Sequence, residues 1–270
     1  MSTDSASTPQ GRYVKANGLN MFYEECGTGE PLILLHGATR TSQDWRPHAS
    51  LFSQYFRVFA LDCRGHGRTD NPEGEFSFRL MADDVAAFVE KLGLVKPLLC
   101  GHSQGGQIVL QAGMQYPSLA KALVISGVTS EFSEARFETA KTLGIEGPNV
   151  VNFEYIEESL PDAVQMWREI QGRPDDPDYW KTLLVQASTM WTTTLDYAKE
   201  DFEKIAVPTL VILGDRDEWV LVDEAVELYH LVSNSELAIL PNTTHDIGLE
   251  RWTPTVLDFL LRHSSCSEQG

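Results

Sequence analysis

Apolar residues follow two different rhythms along this chain. Short, largely apolar runs occupy residues 31–36, 57–62, 98–100, 120–126, 208–214 and 236–240. Such runs are the mark of strands buried on both faces of a sheet. Between them lie longer stretches with a period near 3.6. The clearest is 78–92, where Met81, Val85, Phe88, Val89 and Leu92 return to one face and Gly93 stands at the stop. Helices are also predicted over 42–55, with Trp45 and Leu51 turned to the core, after the glycine pair 105–106 as far as Tyr116, and over 222–232 and 252–263. The chain opens differently, with strands at 12–15 and 19–24 joined by Ala16-Asn17-Gly18, whose Asn-Gly step is a hairpin signal.

Strand and helix thus alternate, which predicts an α/β fold: a mostly parallel central sheet with helices on both faces. The alternation breaks between 131 and 204, where there are helix-like stretches, no strand, and loops at Gly147-Pro148 and around Pro174 and Pro177. The pattern predicts a core domain of residues 11–130 and 205–263, a helical cap inserted at 131–204, and loose tails at 1–10 and 264–270.

Composition narrows the partners. The 270 residues include 39 acidic and 21 basic side chains, a net charge of −18, which opposes binding to nucleic acid or an anionic membrane through a broad field. No run reaches the roughly 18 apolar residues of a membrane span, and residues 1–10 have neither the basic start nor the apolar centre of a signal peptide. Cys26, Cys63, Cys100 and Cys266 are scattered, without paired spacing, as in a reducing compartment. These features point to a cytoplasmic protein acting on a small molecule, and leave monomer and homodimer open.

Candidate chemistry gathers at strand ends. Residues 98–106 read Leu-Leu-Cys-Gly-His-Ser-Gln-Gly-Gly and run into Ile108-Val109-Leu110. A strand here turns sharply into a helix with Ser103 at the bend, and a Cβ at Gly101 or Gly105 would clash. This is the G-x-S-x-G elbow that holds a serine out for attack. Serine needs a base within hydrogen-bond reach, and that base, a histidine, needs a carboxylate to fix its tautomer. The run 236–240 leads to His245, and the run 208–214 leads to Asp215-Arg216-Asp217-Glu218. The order is serine, acid, histidine. The other histidines have plainer roles: His36 and His66 brace glycine turns, His102 beside the serine packs there or shapes the pocket, and His48, His230 and His263 lie on helices.

With these pieces in this order the chain resembles the α/β-hydrolase superfamily, serine hydrolases with a helical cap in the esterase and haloperoxidase-like branch. The resemblance runs from about residue 13 to 263 and rests on His36-Gly37, Asp62-Cys63-Arg64-Gly65-His66-Gly67, the elbow, Gly214-Asp215-Arg216-Asp217 and His245. It implies Ser103, Asp217 and His245 as the catalytic triad, with Asp215 and Glu218 as alternative acids and Glu131 as a remoter one. The oxyanion donors would be the backbone N–H groups of Ala38 and Gln104, with Thr39 or Ser42 as a side-chain addition. A serine at the elbow argues against dehalogenases and epoxide hydrolases, which carry aspartate there. Asp215-x-Asp217 lacks the rest of a calcium loop and Gly65-x-Gly67 lacks the third glycine of a dinucleotide fingerprint, so neither metal nor cofactor is expected. Among the cap aromatics, Met190 and Trp191 are candidates for the pocket lining, which suits a hydrophobic substrate. The expected activity is hydrolysis of a carboxylic ester or lactone through an acyl-enzyme. Carbon–carbon hydrolase, amidase or thioesterase action on the same triad are alternatives, as is a ligand receptor with a vestigial triad.

Overall fold

Eight strands form one sheet in the computed structural model, which describes residues 8–132 and 134–264. The first half of the chain runs β1 (Gln10–Ala16), β2 (Leu19–Cys26), β3 (Glu30–Leu35), α1 (Arg46–Phe52), β4 (Phe56–Leu61), α2 (Phe78–Lys91), β5 (Leu98–His102), α3 (Gln104–Gln115) and β6 (Ala122–Ser126). An excursion follows: α4 (Glu134–Thr142), β7 (Ile145–Gly147), β8 (Val150–Val151), α5 (Phe153–Ser159), α6 (Pro161–Gln171), α7 (Tyr179–Thr192) and α8 (Lys199–Phe202). The sheet resumes with β9 (Thr209–Gly214), α9 (Val222–Leu231), β10 (Ser235–Leu240) and α10 (Trp252–Arg262).

The strand order is β1-β2-β4-β3-β5-β6-β9-β10. Only the β1–β2 and β2–β4 pairings are antiparallel; the other five are parallel. The order reverses around β3: the chain passes from β3 outward to β4, then returns to the opposite side as β5. Loops after β3 and β5 therefore splay apart at their C-terminal ends, where open parallel sheets bind ligands. Residues β6 and β9 are neighbours in the sheet, so everything between them lies outside it.

The apolar runs have a simple cause. Leu32 and Leu34 pack on one face with Trp45, Phe52, Trp252 and Phe259, whereas Ile33 and Leu35 pack on the other with Phe88, Ile108 and Leu228. Both faces of each central strand are covered, so the positions are apolar except where a buried hydroxyl finds a hydrogen bond, as Ser126 and Thr209 do. A fully buried side chain of this kind contributes roughly 1.5–3 kcal/mol over its exposed state.

Four sequence expectations are corrected. The predicted helix 42–55 is a single 3₁₀ turn, Ser42–Trp45, followed by α1. That change of winding shifts the phase, so Phe52 is buried and Leu51 is exposed. The excursion does contain strands: β7 and β8 pair as a small antiparallel hairpin with Asn149 in the left-handed region at its turn. At three and two residues they are too short to show a period. The chain's first strand begins at Gln10, inside the expected tail. Cys26, Cys63 and Cys100 are buried free thiols, and burial raises the pKa of each; Cys266 lies outside the described residues. No helix among the described residues is long and apolar enough to cross a membrane.

Candidate active site

The bend after β5 is as tight as its glycines require. A Cβ on Gly101 would run into the backbone of Gly105, and one on Gly105 into the carbonyl of Leu35 on the neighbouring strand. Ser103 between them is held at φ 54° and ψ −119°. A side chain rarely adopts that conformation, and such strain clusters at functional sites. The Ser103 N–H donates to the carbonyl of Ser126 at 2.7 Å, which ties the bend to the end of β6. Gln104 opens α3, so its N–H belongs to the first turn, whose donors have no intrahelical acceptor.

His245 and Asp217 arrive from the ends of β10 and β9. His245 Nδ1 lies 2.8 Å from Asp217 Oδ2, and the Asp217 side chain is almost fully buried. The other carboxylate oxygen of Asp217 accepts the N–H groups of Trp219 and Val220, at 2.8 and 2.9 Å. Asp217 is thereby fixed and can serve Nδ1 only. With Nδ1–H donated to the carboxylate, His245 presents a lone pair at Nε2. The alternative acids are engaged elsewhere. Asp215 accepts the N–H of Thr243, and Glu218 accepts the backbone N–H of His245. Glu131 is exposed and does not line the cavity described next.

Ser103, His245, Ala38 and Gln104 all line one cavity of about 540 Å³. Core loops supply one wall and the excursion the other, through Leu143, Ile145, Trp167, Leu184 and Trp191. Trp191 donates its indole N–H to the Gln104 side chain at 2.8 Å. Met190, the other sequence candidate, does not line the cavity; it is buried in the core beside it. Neighbouring helix positions are 100° apart, so α7 turns Leu184 and Trp191, seven apart, to the cavity and Met190 away. Thr39 lines the cavity; Ser42 does not, its N–H donating to Asp62 and its hydroxyl accepting from Arg68.

One residue of the excursion clasps the core loops. Gln171, at the end of α6, is completely buried. Its amide donates to the carbonyls of Thr39 and Arg40, at 2.9 and 3.3 Å, and accepts the N–H of Gly67 at 2.6 Å. Arg40 is further held by Asp44 and by Met166 of α6. The loop carrying Ala38 is thus fastened from above.

The remaining histidines separate on their contacts. His36 bridges the Gly37 carbonyl and the Cys63 N–H, at 2.8 and 2.9 Å, as a brace. His66 contacts the Arg64 carbonyl, and burial pushes its pKa down to about 3. His230 and His263 sit at the ends of α9 and α10. His36, His48 and His102 also line the cavity; the His36 ring nitrogens are both engaged in its brace, whereas His48 Nδ1 meets the Thr253 hydroxyl at 2.7 Å. The His102 ring stands 4.8 Å from that of His245. Gly127, at φ 62°, makes room for both rings: a Cβ there would come 2.9 Å from His245 and 3.3 Å from His102. Sequence spacing offers no signal for His48 or Gly127, because their role arises only when the loops after β3, β5 and β6 meet. Among the described residues, no cluster of three or more His, Cys, Asp or Glu side chains is arranged to hold a metal.

The chain is similar to known proteins over most of its length. The family model described as "Serine aminopeptidase, S33" matches residues 30–251. The chain is 25% identical to 2-hydroxy-6-oxo-6-(2'-aminophenyl)hexa-2,4-dienoic acid hydrolase of Metapseudomonas resinovorans, over 98% of this chain and 95% of that protein. It is 28% identical to the bifunctional esterase/perhydrolase of Acinetobacter calcoaceticus, over 85% of this chain and 90% of that one. Among solved structures, the meta-cleavage product hydrolase of Pseudomonas fluorescens IP01 shares the fold, with a TM-score of 0.77 and 21% identity over 94% of this chain and 98% of that chain.

Proposed function

Because the chain belongs to the serine aminopeptidase S33 family of α/β-hydrolases, we propose that it hydrolyses a carboxylic ester or lactone of a fairly hydrophobic small molecule through an acyl-enzyme. The observation that carries this reading is the 2.8 Å pairing of His245 Nδ1 with a buried Asp217, beside a strained Ser103 in the same cavity.

Ser103 attacks the substrate carbonyl and His245 Nε2 takes its proton. Asp217 holds the tautomer and stabilises the imidazolium. The N–H groups of Ala38 and Gln104 receive the developing oxyanion, the latter aided by the α3 dipole. His245 then returns the proton to the leaving alcohol and activates the water that releases the acid. The excursion 131–204 acts as the cap, and its aliphatic and indole wall suits an apolar acyl or aryl group. The esterase/perhydrolase relative is in keeping with this chemistry.

A second reading is cleavage of a carbon–carbon bond next to a ketone, which is supported by the dienoic acid hydrolase relative with its 98% coverage. It uses the same serine: attack on the ketone breaks the carbon–carbon bond, the leaving carbon takes the proton that His245 removed from Ser103, and water releases the acyl group as a carboxylic acid.

A fluorophosphonate probe should label the wild-type chain on Ser103, and Ser103→Ala should abolish both labelling and turnover. A panel of aryl esters, lactones and vinylogous 1,5-diketones then ranks the two readings. A chain that binds these compounds, never turns them over and resists the probe would instead be a receptor.

A further inference from the structure

His102 precedes the proposed nucleophile and is held by a chain of hydrogen bonds that decides where its proton sits. The Trp252 indole N–H donates to Ser126 Oγ at 2.8 Å in the buried interior. An indole nitrogen can only donate, so it occupies a lone pair of that hydroxyl. The Ser126 hydroxyl lies 3.3 Å from His102 Nδ1. The Ser126 hydroxyl has one proton to give, and among the described residues His102 Nδ1 is the acceptor within its reach, so we assign the proton of that contact to Ser126. The single proton of a neutral imidazole is then on Nε2.

The edge of the ring that carries Nε2 faces the cavity. A Cβ on Gly37 would stand 3.8 Å from His102 Cδ2, and one on Gly127 would stand 3.3 Å from Cε1. Nε2 lies between those two carbons, and both glycines line the cavity. Nε2 has no hydrogen-bond partner among the described residues. We propose that His102 is a substrate-binding residue whose Nε2–H donates to an uncharged carbonyl oxygen that the substrate carries in addition to the one Ser103 attacks. This rests on the reading of Ser103 as nucleophile and adds the substrate class: oxo-substituted esters or lactones.

The charges around the cavity favour a neutral acceptor over a carboxylate. Arg40 is spent on Asp44, and exposed Asp246 stands on the cavity lining as an added negative charge. The donor is also constant with pH. Burial first, then His245, His48 and Arg40 around it, hold His102 well below the usual histidine value, so it remains a neutral donor. It cannot replace His245 as base, because its acceptor nitrogen is turned to Ser126.

The test compares phenyl hexanoate with the phenyl esters of 3-, 4- and 5-oxohexanoic acid and with monophenyl glutarate. The readout is the ratio of kcat/KM for each to that for the plain ester, alongside fluorophosphonate labelling of every variant. Wild type should prefer at least one oxo-ester about tenfold, the scale of one hydrogen bond gained. It should disfavour the carboxylate, with a ratio that is flat between about pH 6 and 8. His102→Phe should erase the preference, and His102→Gln, whose amide can donate from a similar place, should restore much of it. Ser126→Ala should weaken it by freeing the tautomer, and serves alone if His102→Phe does not fold. An unchanged ratio in labelled His102→Phe, or in Ser126→Ala where that variant stands alone, overturns the proposal, as does a preference for the carboxylate. Failure of the probe to label wild type overturns the nucleophile reading itself, and the two failures are told apart by that label.

Discussion

The sheet and the excursion differ in how tightly their positions are determined. In β3, β5, β6 and β9 nearly every side chain is buried on one face or the other. In α5 and α6 only Ile156, Val164 and Gln171 are buried. The sheet ends carry Ser103, Asp217 and His245, each fixed by backbone hydrogen bonds or by a second carboxylate oxygen. The excursion contributes shape: indole and aliphatic side chains over the same cavity. In the proposed reading the chemistry sits on strand ends and the cavity wall comes from the excursion, whose α7 is buried on most of its length while α5 and α6 are not.

Three substitutions sharpen this contrast. Asp217→Asn should lower turnover by about 10⁴ for every substrate alike, since it disturbs the His245 tautomer while leaving the cavity wall untouched. Steady-state rates on a short and a long ester give the measure; a loss confined to one substrate would assign Asp217 to binding. Gln171→Leu removes one of the joins between the two regions, the one on the carbonyls of Thr39 and Arg40. It should reduce kcat by ten- to a hundredfold with a smaller change in KM, because a slight displacement of the Ala38 loop misaims a donor. A rise in KM alone would mean that Gln171 merely holds the cap. Trp191→Ala should act least on rate: the kcat/KM ratio of long to short acyl esters should shift about tenfold, as expected for lost apolar contact. An equal effect on all chain lengths would remove Trp191 from the specificity wall.

Legibility followed the same division. The sheet strands were readable because burial on both faces leaves a largely apolar run that ends at a turn residue. The order of strand ends pointed to the acidic cluster 215–218, the resemblance favoured Asp217 within it, and the contact with His245 Nδ1 belongs to Asp217 rather than to Asp215 or Glu218. The excursion was poorly readable. Its β7–β8 hairpin is too short for a period, and α7 carries apolar residues on several sides, so Met190 and Trp191 look equivalent until the helix is docked. His102 was legible as a packed neighbour of Ser103, yet its link through Ser126 to Trp252 joins residues 126 positions apart. Leu51 failed for a local reason, the 3₁₀ turn that displaced the helical phase.

The Gln171 clasp has a thermodynamic consequence. One amide joins the excursion to the loop of Ala38, so docking of the first and ordering of the second are linked equilibria. Linkage is reciprocal. A transition-state mimic that tightens the Thr39 and Arg40 carbonyls must stabilise α6 against opening by the same free energy. A ligand that pries α6 away must likewise weaken the mimic's affinity by an equal factor.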